Sequence, residues 1–243
     1  MTFFSVIIAT LGVAKRPSLR EALRSLRSQT FRDFEVLTDD SPPNEYVARN
    51  KCARRARGEV LAFMDDDCVA PVDWLQKAYK YFSENSNLQV LTGPVEGDLY
   101  GWGRWIRVSQ PFWGIGCNLF IRKKAFLEVG GFEEDWGLKQ PTRGWRADSD
   151  ILYRLIDRFG VESYVHAEDV VMTHPQIMKS SFIPEVEERF YLRHRDKILK
   201  WIAPYDPRLC MFILATGIEK DENIKELLRR YRVEALKCLR SHQ

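Results

Sequence analysis

The sequence predicts an α/β domain built on a mainly parallel, Rossmann-like sheet flanked by helices, and three observations predict it. Short runs rich in β-branched and aromatic residues recur at Phe3–Thr10, Phe34–Thr38, Val60–Met64 and Leu88–Thr92, the pattern of buried strands. Helical periodicity fills the intervals, and strand–helix–strand–helix–strand spacing indicates βαβ units. Acidic groups stand where the second and third runs end, at Asp39-Asp40 and Asp65-Asp66-Asp67. In open sheets of this kind, ligands bind outside those carboxyl ends.

Each element follows from its own residues. Pro17 opens a helix whose apolar positions Leu19, Ala22, Leu23 and Leu26 follow the i, i+3, i+4, i+7 rule. The second strand ends in the turn Asp39-Asp40-Ser41-Pro42-Pro43. Arg49–Arg57 reads as a helix stopped by Gly58 in the C′ position. Val60–Met64 runs straight into the acidic triplet, and a helix follows from Pro71 with Trp74, Leu75, Ala78, Tyr81 and Phe82 inward. Residues 98–117, rich in Gly and Trp (Trp102, Trp105, Trp113), read as loop and strand. They suit either a core or a sugar platform, because aromatic faces pack on apolar surface. Lys123–Val129 is a short helix ended by Gly130-Gly131, and Asp148–Phe159 is another, closed by Gly160. After Pro175 the chain reads as helical to its end. Ile224, Leu227, Leu228, Tyr231, Ala235, Leu236 and Leu239 make an apolar stripe there, with Lys and Arg opposite. Docking on the rest of the chain is its first expected use, ahead of a homodimer or a membrane surface.

Composition sets the bounds. The 243 residues are enough for one large domain, and 45% hydrophobic with 29% charged residues is ordinary for a soluble globular protein. A net charge of +3 makes no demand for nucleic acid. Local basic clusters (Arg49, Lys51, Arg54, Arg55, Arg57, and the C-terminal stretch) read as solvated helix faces or as attraction to a phosphorylated donor, a lipid-phosphate acceptor or a membrane. Five cysteines with no C-x-x-C pair argue against a disulfide framework or structural zinc and fit a reducing cytosol. The N-terminal apolar run is too short to span a bilayer and lacks signal-peptide features. The expectation is a cytoplasmic protein, with any contact at the inner membrane face peripheral and made by the basic tail.

The chemistry centres on Asp65-Asp66-Asp67. Three adjacent carboxylates repel, and a strand-to-loop junction does not need them. A divalent cation, Mg²⁺ or Mn²⁺, would relieve that repulsion through hard oxygen ligands and could bridge diphosphate oxygens. The alternative is a solvated acidic turn or a cap for the next helix. Two tempting motifs fail on context. His194-Arg195-Asp196 has no Gly-rich loop before it, and Gly101-x-Gly103 lacks the strand–turn–helix setting of a dinucleotide fingerprint.

In order along the chain, Ser5-Val-Ile-Ile-Ala-Thr10, Arg16-Pro17, Gln29 to Val36, Asp39-Asp40-Ser41, Ala48-Arg-Asn50, Gly58-Glu59 and Ala62-Phe-Met-Asp-Asp-Asp67 resemble the start of family 2 glycosyltransferases of the GT-A fold. Asn118 to Lys123, Gly130-Gly-Phe132 and Asp148-Ser-Asp-Ile-Leu-Tyr-Arg-Leu155 resemble their acceptor half, so the likeness spans roughly residues 3–175. The resemblance implies that Asp40 contacts the donor's base, with Thr10 beside it, and that Asp65 and Asp67 are the outer members of a D-x-D motif. Asp67 would then ligate the metal directly, while Asp65 or Asp66 reaches the ribose or an outer-sphere water. Asp148 matches the catalytic base of inverting members, with Asp150 as fallback and helix capping as the alternative role. His174 resembles a late histidine that in some relatives contacts metal or diphosphate; the alternative is a structural histidine. Arg16, Arg143 or Arg146 would screen the diphosphate, and 137–147 would order on donor binding. The chain departs from the pattern in a longer segment before Arg16, in Cys68, and in Ala147 where Glu is usual.

The sequence therefore implies a catalytic domain at 1–175, with a nucleotide-sugar half (1–97) and an acceptor half (98–175), and a helical tail at 176–243. The expected reaction is inverting transfer from a nucleoside-diphosphate sugar to a glycan or lipid-linked acceptor. A metal-dependent nucleotidyltransferase and a non-catalytic sugar-nucleotide-binding relative are the alternatives.

Overall fold

Phe4–Ala9 (β1) is buried along almost its whole length, so it needs partners on both edges. It pairs in parallel with Phe34–Asp39 (β2) on one side and Val60–Asp65 (β3) on the other. The structure is a computed structural model and describes residues 2–10, 17–41, 44–98, 105–109, 111–136, 146–176 and 184–198. Arg16, Trp102, Arg143, residues 137–145 of the expected donor-ordered loop and the amphipathic stripe at 224–239 lie outside them.

The helices between these strands pack as the periodicity requires. Pro17–Arg27 (α1) buries Leu19, Ala22 and Leu26. The next helix, Glu45–Arg55 (α2), begins earlier than the sequence suggests because Asn44 caps it, accepting from the N–H groups of Tyr46 and Val47. It ends before Gly58, whose role is a close strand approach: a Cβ there would lie 2.5 Å from the Ser5 nitrogen and 2.6 Å from the Phe4 carbonyl carbon. Trp74–Glu84 (α3) starts three residues after Pro71.

Three further strands, Val90–Thr92 (β4), Leu119–Arg122 (β7) and Tyr164–His166 (β8), complete a six-stranded sheet in the order β2-β1-β3-β7-β4-β8. It is mainly parallel, but β7 runs antiparallel to both neighbours. A second sheet joins Val95–Asp98 (β5), Ile106–Val108 (β6) and Met172–Gln176 (β9) in the order β6-β5-β9. Pro175 thus lies inside a strand where the sequence suggested the start of a helix. Its missing N–H is tolerated because β9 is an edge strand of this sheet, and the β5–β9 register is irregular beside it.

Lys123–Glu128 (α4) packs on β3, where the rings of Phe63, Phe126 and Phe132 meet at centroid distances of 5.0–5.5 Å, and Ala147–Phe159 (α5) is tied to the Val129 and Gly131 carbonyls through Arg154. Asn118, fully buried, accepts from the Trp74 indole and donates to the carbonyls of Pro94 and Val170, tying three segments behind the strand ends. The chain divides into two compact units, Met1–Ser181 and Phe182–Gln243. In the second, the described element is Pro184–Lys197 (α6), whose helical backbone is interrupted at His194.

Candidate active site

The site is built where β3 ends. Asp65 is the last residue of that strand, and the chain turns at once, with the Cys68 N–H donating to the Asp65 carbonyl. Val69 then forms a two-way backbone bridge with Thr173. That bridge carries His174 to the acidic turn from more than a hundred residues away. The ligating atoms of Asp65, Asp67, Cys68 and His174 lie within 4.8 Å of one another, and His174 Nε2 is 3.4 Å from Asp67 Oδ1. His174 is buried, and its Nδ1 has no hydrogen-bond partner among the described residues. Two carboxylates and an imidazole fit a divalent cation of the Mn²⁺ type, which takes both oxygen and nitrogen donors. Asp66, by contrast, is only 5% exposed, whereas the Asp65 side chain is 38% exposed. The structure therefore brings Asp65, Asp67 and His174 together and turns Asp66 inward.

A residue that sequence reasoning left among the surface basic groups organises the rest. Arg49, in α2, is buried, and its guanidinium spans two carboxylates: Asp65 Oδ1 at 2.6 Å and Asp148 Oδ1 at 3.0 Å. It also donates to the Gly116 carbonyl, and the rings of Tyr46, Phe63 and Phe132 surround it at 5.7–5.9 Å. Burial alone would lower its pKa, but Asp148 and Asp65 more than reverse that and raise it. The signal was present in the sequence. Tyr46, Arg49, Asn50 and Ala53 recur at i, i+3, i+4 and i+7, so Arg49 and Asn50 occupy the inward face of α2, and all four are buried. Asn50 fixes the Gly130-Gly131-Phe132 segment, exchanging hydrogen bonds with the Phe132 backbone.

Asp148 sits in the first turn of α5, with 14% of its side chain exposed. The residue at the N-cap is Arg146, without a side-chain capping bond, so Asp148 is not spent on a cap. Burial pushes its carboxyl up to about 7, against the downward pull of Arg49 and of the Gly116 N–H that donates to it; the charges of Asp65 and Glu45 add to the rise. Gly116 is required here, since a Cβ would fall 2.5 Å from Asp148 Oδ2 and 2.6 Å from the Arg49 guanidinium. Asp150, the fallback, is fully buried and committed elsewhere. It holds Arg154 at 2.8 Å, and Arg154 in turn donates to the carbonyls of Val129 and Gly131. Trp113 carries the Arg146 guanidinium at 4.4 Å, so one face of the expected sugar platform is already covered. Trp105 is exposed.

At the end of β1 the Thr10 N–H donates to the Asp39 carbonyl, while the Thr10 hydroxyl is buried with no hydrogen-bond partner among the described residues. Asp39 is structural: burial raises its pKa, but the Ser41 N–H and Arg55 outweigh that and lower it. Asp40 is exposed beside it.

Comparison with known proteins bears on this geometry. Residues 44–133, from the Asn44 cap to just past Gly130-Gly131-Phe132, match the family model of glycosyl transferase family 2. Over that stretch the chain is similar to the family 2 glycosyltransferases, and the names of its relatives support a glycosyltransferase. The enzyme is 20% identical over 280 aligned positions to the glucosyl-dolichyl phosphate glucuronosyltransferase of Haloferax volcanii, an alignment covering 97% of this chain and 86% of that protein. It is 30% identical over 173 positions to the glycosyltransferase AglE of the same organism, covering 64% of this chain but only 54% of that protein. Its fold is the GT-A fold, shared with the mannosyltransferase PcManGT of Pyrobaculum calidifontis, solved with GDP-Man and Mn²⁺, at a TM-score of 0.53 and 14% identity over 96% of this chain and 86% of that one. These findings support a glycosyltransferase, the first of the expected activities. Among the described residues no helix is long and apolar enough to cross a membrane.

Proposed function

We propose that this enzyme moves a sugar, with inversion, from a nucleoside-diphosphate donor to an acceptor hydroxyl, with Asp148 as general base. The observation that carries the reading is the Arg49 guanidinium shared between Asp65 and Asp148. It sets the base beside the cation-binding corner, where base and leaving group belong on opposite sides of one anomeric carbon. Asp148 takes the proton from the acceptor O–H as that oxygen bonds to the anomeric carbon, and the bond to the diphosphate oxygen breaks, releasing the nucleoside diphosphate. A carboxyl titrating near 7 is well matched to this task at neutral pH. Arg49 keeps it oriented and supplies the positive charge that makes its ionised form tolerable.

The donor half is drawn from the first three strand ends. Thr10 and Asp40 receive the base, the orphaned Thr10 hydroxyl supplying a hydrogen-bonding group. Asp65, Asp67 and His174 would hold Mn²⁺ or Mg²⁺, which when bound screens the diphosphate charge that grows as the leaving group departs. Asp66, turned inward, is the weakest of the expected donor contacts. The acceptor half contributes Asp148 and the Trp113–Arg146 pair. A glycan or lipid-linked acceptor is in keeping with the dolichyl-phosphate-linked substrate in the Haloferax relative's name. The test is turnover of a panel of UDP- and GDP-sugars by wild type, Asp148→Asn and Asp67→Ala. Asp148→Asn is expected to bind donor normally, as judged by thermal shift, yet turn over at least about a hundredfold slower. Full activity in Asp148→Asn with normal donor binding would remove Asp148 as the base.

A further inference from the structure

Among the described residues, Phe112 alone of the non-glycines has a positive φ, +62°, a conformation a bulky side chain holds only when its surroundings enforce it. Its N–H donates to the phenol oxygen of Tyr164 at 2.9 Å, and the two rings pack with centroids 5.0 Å apart. Tyr164 belongs to β8 and is itself held: its hydroxyl lies 2.9 Å from Thr92 Oγ1 on the neighbouring strand β4, and Thr92 Oγ1 lies 2.9 Å from His166 Nδ1. On the far side of the imidazole, Nε2 is 2.9 Å from Ser109 Oγ, and Ser109 donates to the Glu168 carboxylate, which pairs with Arg107.

One set of directions lets every hydroxyl in this chain both donate and accept. In that set the phenol oxygen accepts from Phe112 and donates to Thr92, and Thr92 donates to His166 Nδ1. Nε2 then carries the ring hydrogen and donates to Ser109, whose own hydrogen is taken by the carboxylate. Each hydroxyl both donates and accepts, which no other assignment achieves with a carboxylate at one end and an N–H at the other. Burial, lowering the His166 pKa, favours the neutral ring this order needs.

What the chain of bonds holds is the segment that covers the base. Trp113, next to Phe112, stacks on Arg146. Gly114 lies so close to Asp148 that a Cβ would be 2.3 Å from its carbonyl oxygen, and Gly116 contacts its carboxylate. We propose that Tyr164 is a positioning residue for the transfer reaction: by clamping the turn at Phe112 it fixes the 112–116 loop against Asp148. The inference rests on the reading of Asp148 as the base.

Wild type, Tyr164→Phe and Thr92→Val, labelled with 5-fluorotryptophan, are compared by fluorine NMR, with the Trp113 resonance assigned from Trp113→Phe. In Tyr164→Phe, and to a smaller degree in Thr92→Val, that resonance should shift or broaden. The kcat for hydrolysis of a UDP- or GDP-sugar should fall roughly tenfold or more, with donor KM little changed. An unmoved resonance in both variants overturns the proposal, as does a moved resonance with unaltered kcat. If wild type hydrolyses no donor, water does not serve as acceptor, and the resonance by itself decides whether Tyr164 holds the loop.

Discussion

Replacing Asp148 with Asn should stabilise the protein while abolishing turnover, and the size of the effect follows from the site. An ordinary aspartate titrates near 3.8, but this one is pushed up to about 7 by burial. Between those values the native state holds a proton that the unfolded chain has already released, so the native state binds more protons. Stability must therefore fall as pH rises through that window. At about 1.4 kcal/mol for each pH unit, ionising Asp148 in the fold costs about 4 kcal/mol above pH 8, and almost nothing near pH 4. Asn mimics the neutral acid and escapes this cost, leaving Arg49 paired with Asp65. At roughly 2–4 °C per kcal/mol for a unit of this size, Asp148→Asn should melt about 8–16 °C above wild type at pH 8 and with it at pH 4. Scanning fluorimetry across that pH range, with donor turnover measured in parallel, reads both effects. An equal or lower melting temperature at pH 8 would refute the claim that burial, rather than pairing, governs Asp148.

Three further outcomes follow. Arg49→Met removes the cation that pairs with both Asp65 and Asp148 and should cost about 3–5 kcal/mol at pH 8 in denaturant titration, and less at pH 5 where Asp148 is neutral; Arg49→Lys should rescue poorly, because a point charge cannot span both carboxylates. His174→Ala should weaken Mn²⁺ binding by about tenfold or more, read as free Mn²⁺ by electron paramagnetic resonance, with an unchanged affinity counting against ligation. Asp150→Asn breaks a buried pair with Arg154 and should lower stability by about 3 kcal/mol while leaving turnover per folded molecule near wild type; a selective loss of kcat would restore Asp150 as a candidate base.

The parts of the fold that local pattern governs were legible. The run Ser5–Ala9 can only be a covered strand, and Leu19, Ala22 and Leu26 can only be one helix face. Direction and long-range pairing were not. Nothing in Leu119-Phe-Ile-Arg122 says whether it enters the sheet up or down, because an apolar run looks the same both ways. Pro175 reads as a strand-breaker unless the edge position of β9 is known. At the site, the acidic triplet was visible because three adjacent carboxylates demand an explanation. Arg49 was obscured by Lys51, Arg54, Arg55 and Arg57, which made it resemble one more solvated charge. The periodicity of Tyr46 and Ala53 separates it from them, since those neighbours fix which face of α2 is inward. The anchoring of Phe112 by Tyr164 could not be read at all, for it joins residues 52 positions apart through a backbone conformation that no motif encodes.

The account depends most on a cation held between the end of β3 and His174. A crystal grown with Mn²⁺ and a nucleoside diphosphate, measured at the manganese absorption edge, addresses this directly. The predicted result is an anomalous peak within about 2.2 Å of Asp67 and the His174 imidazole, in contact with the diphosphate. A diphosphate bound at the strand ends with no peak at that corner would contradict the account.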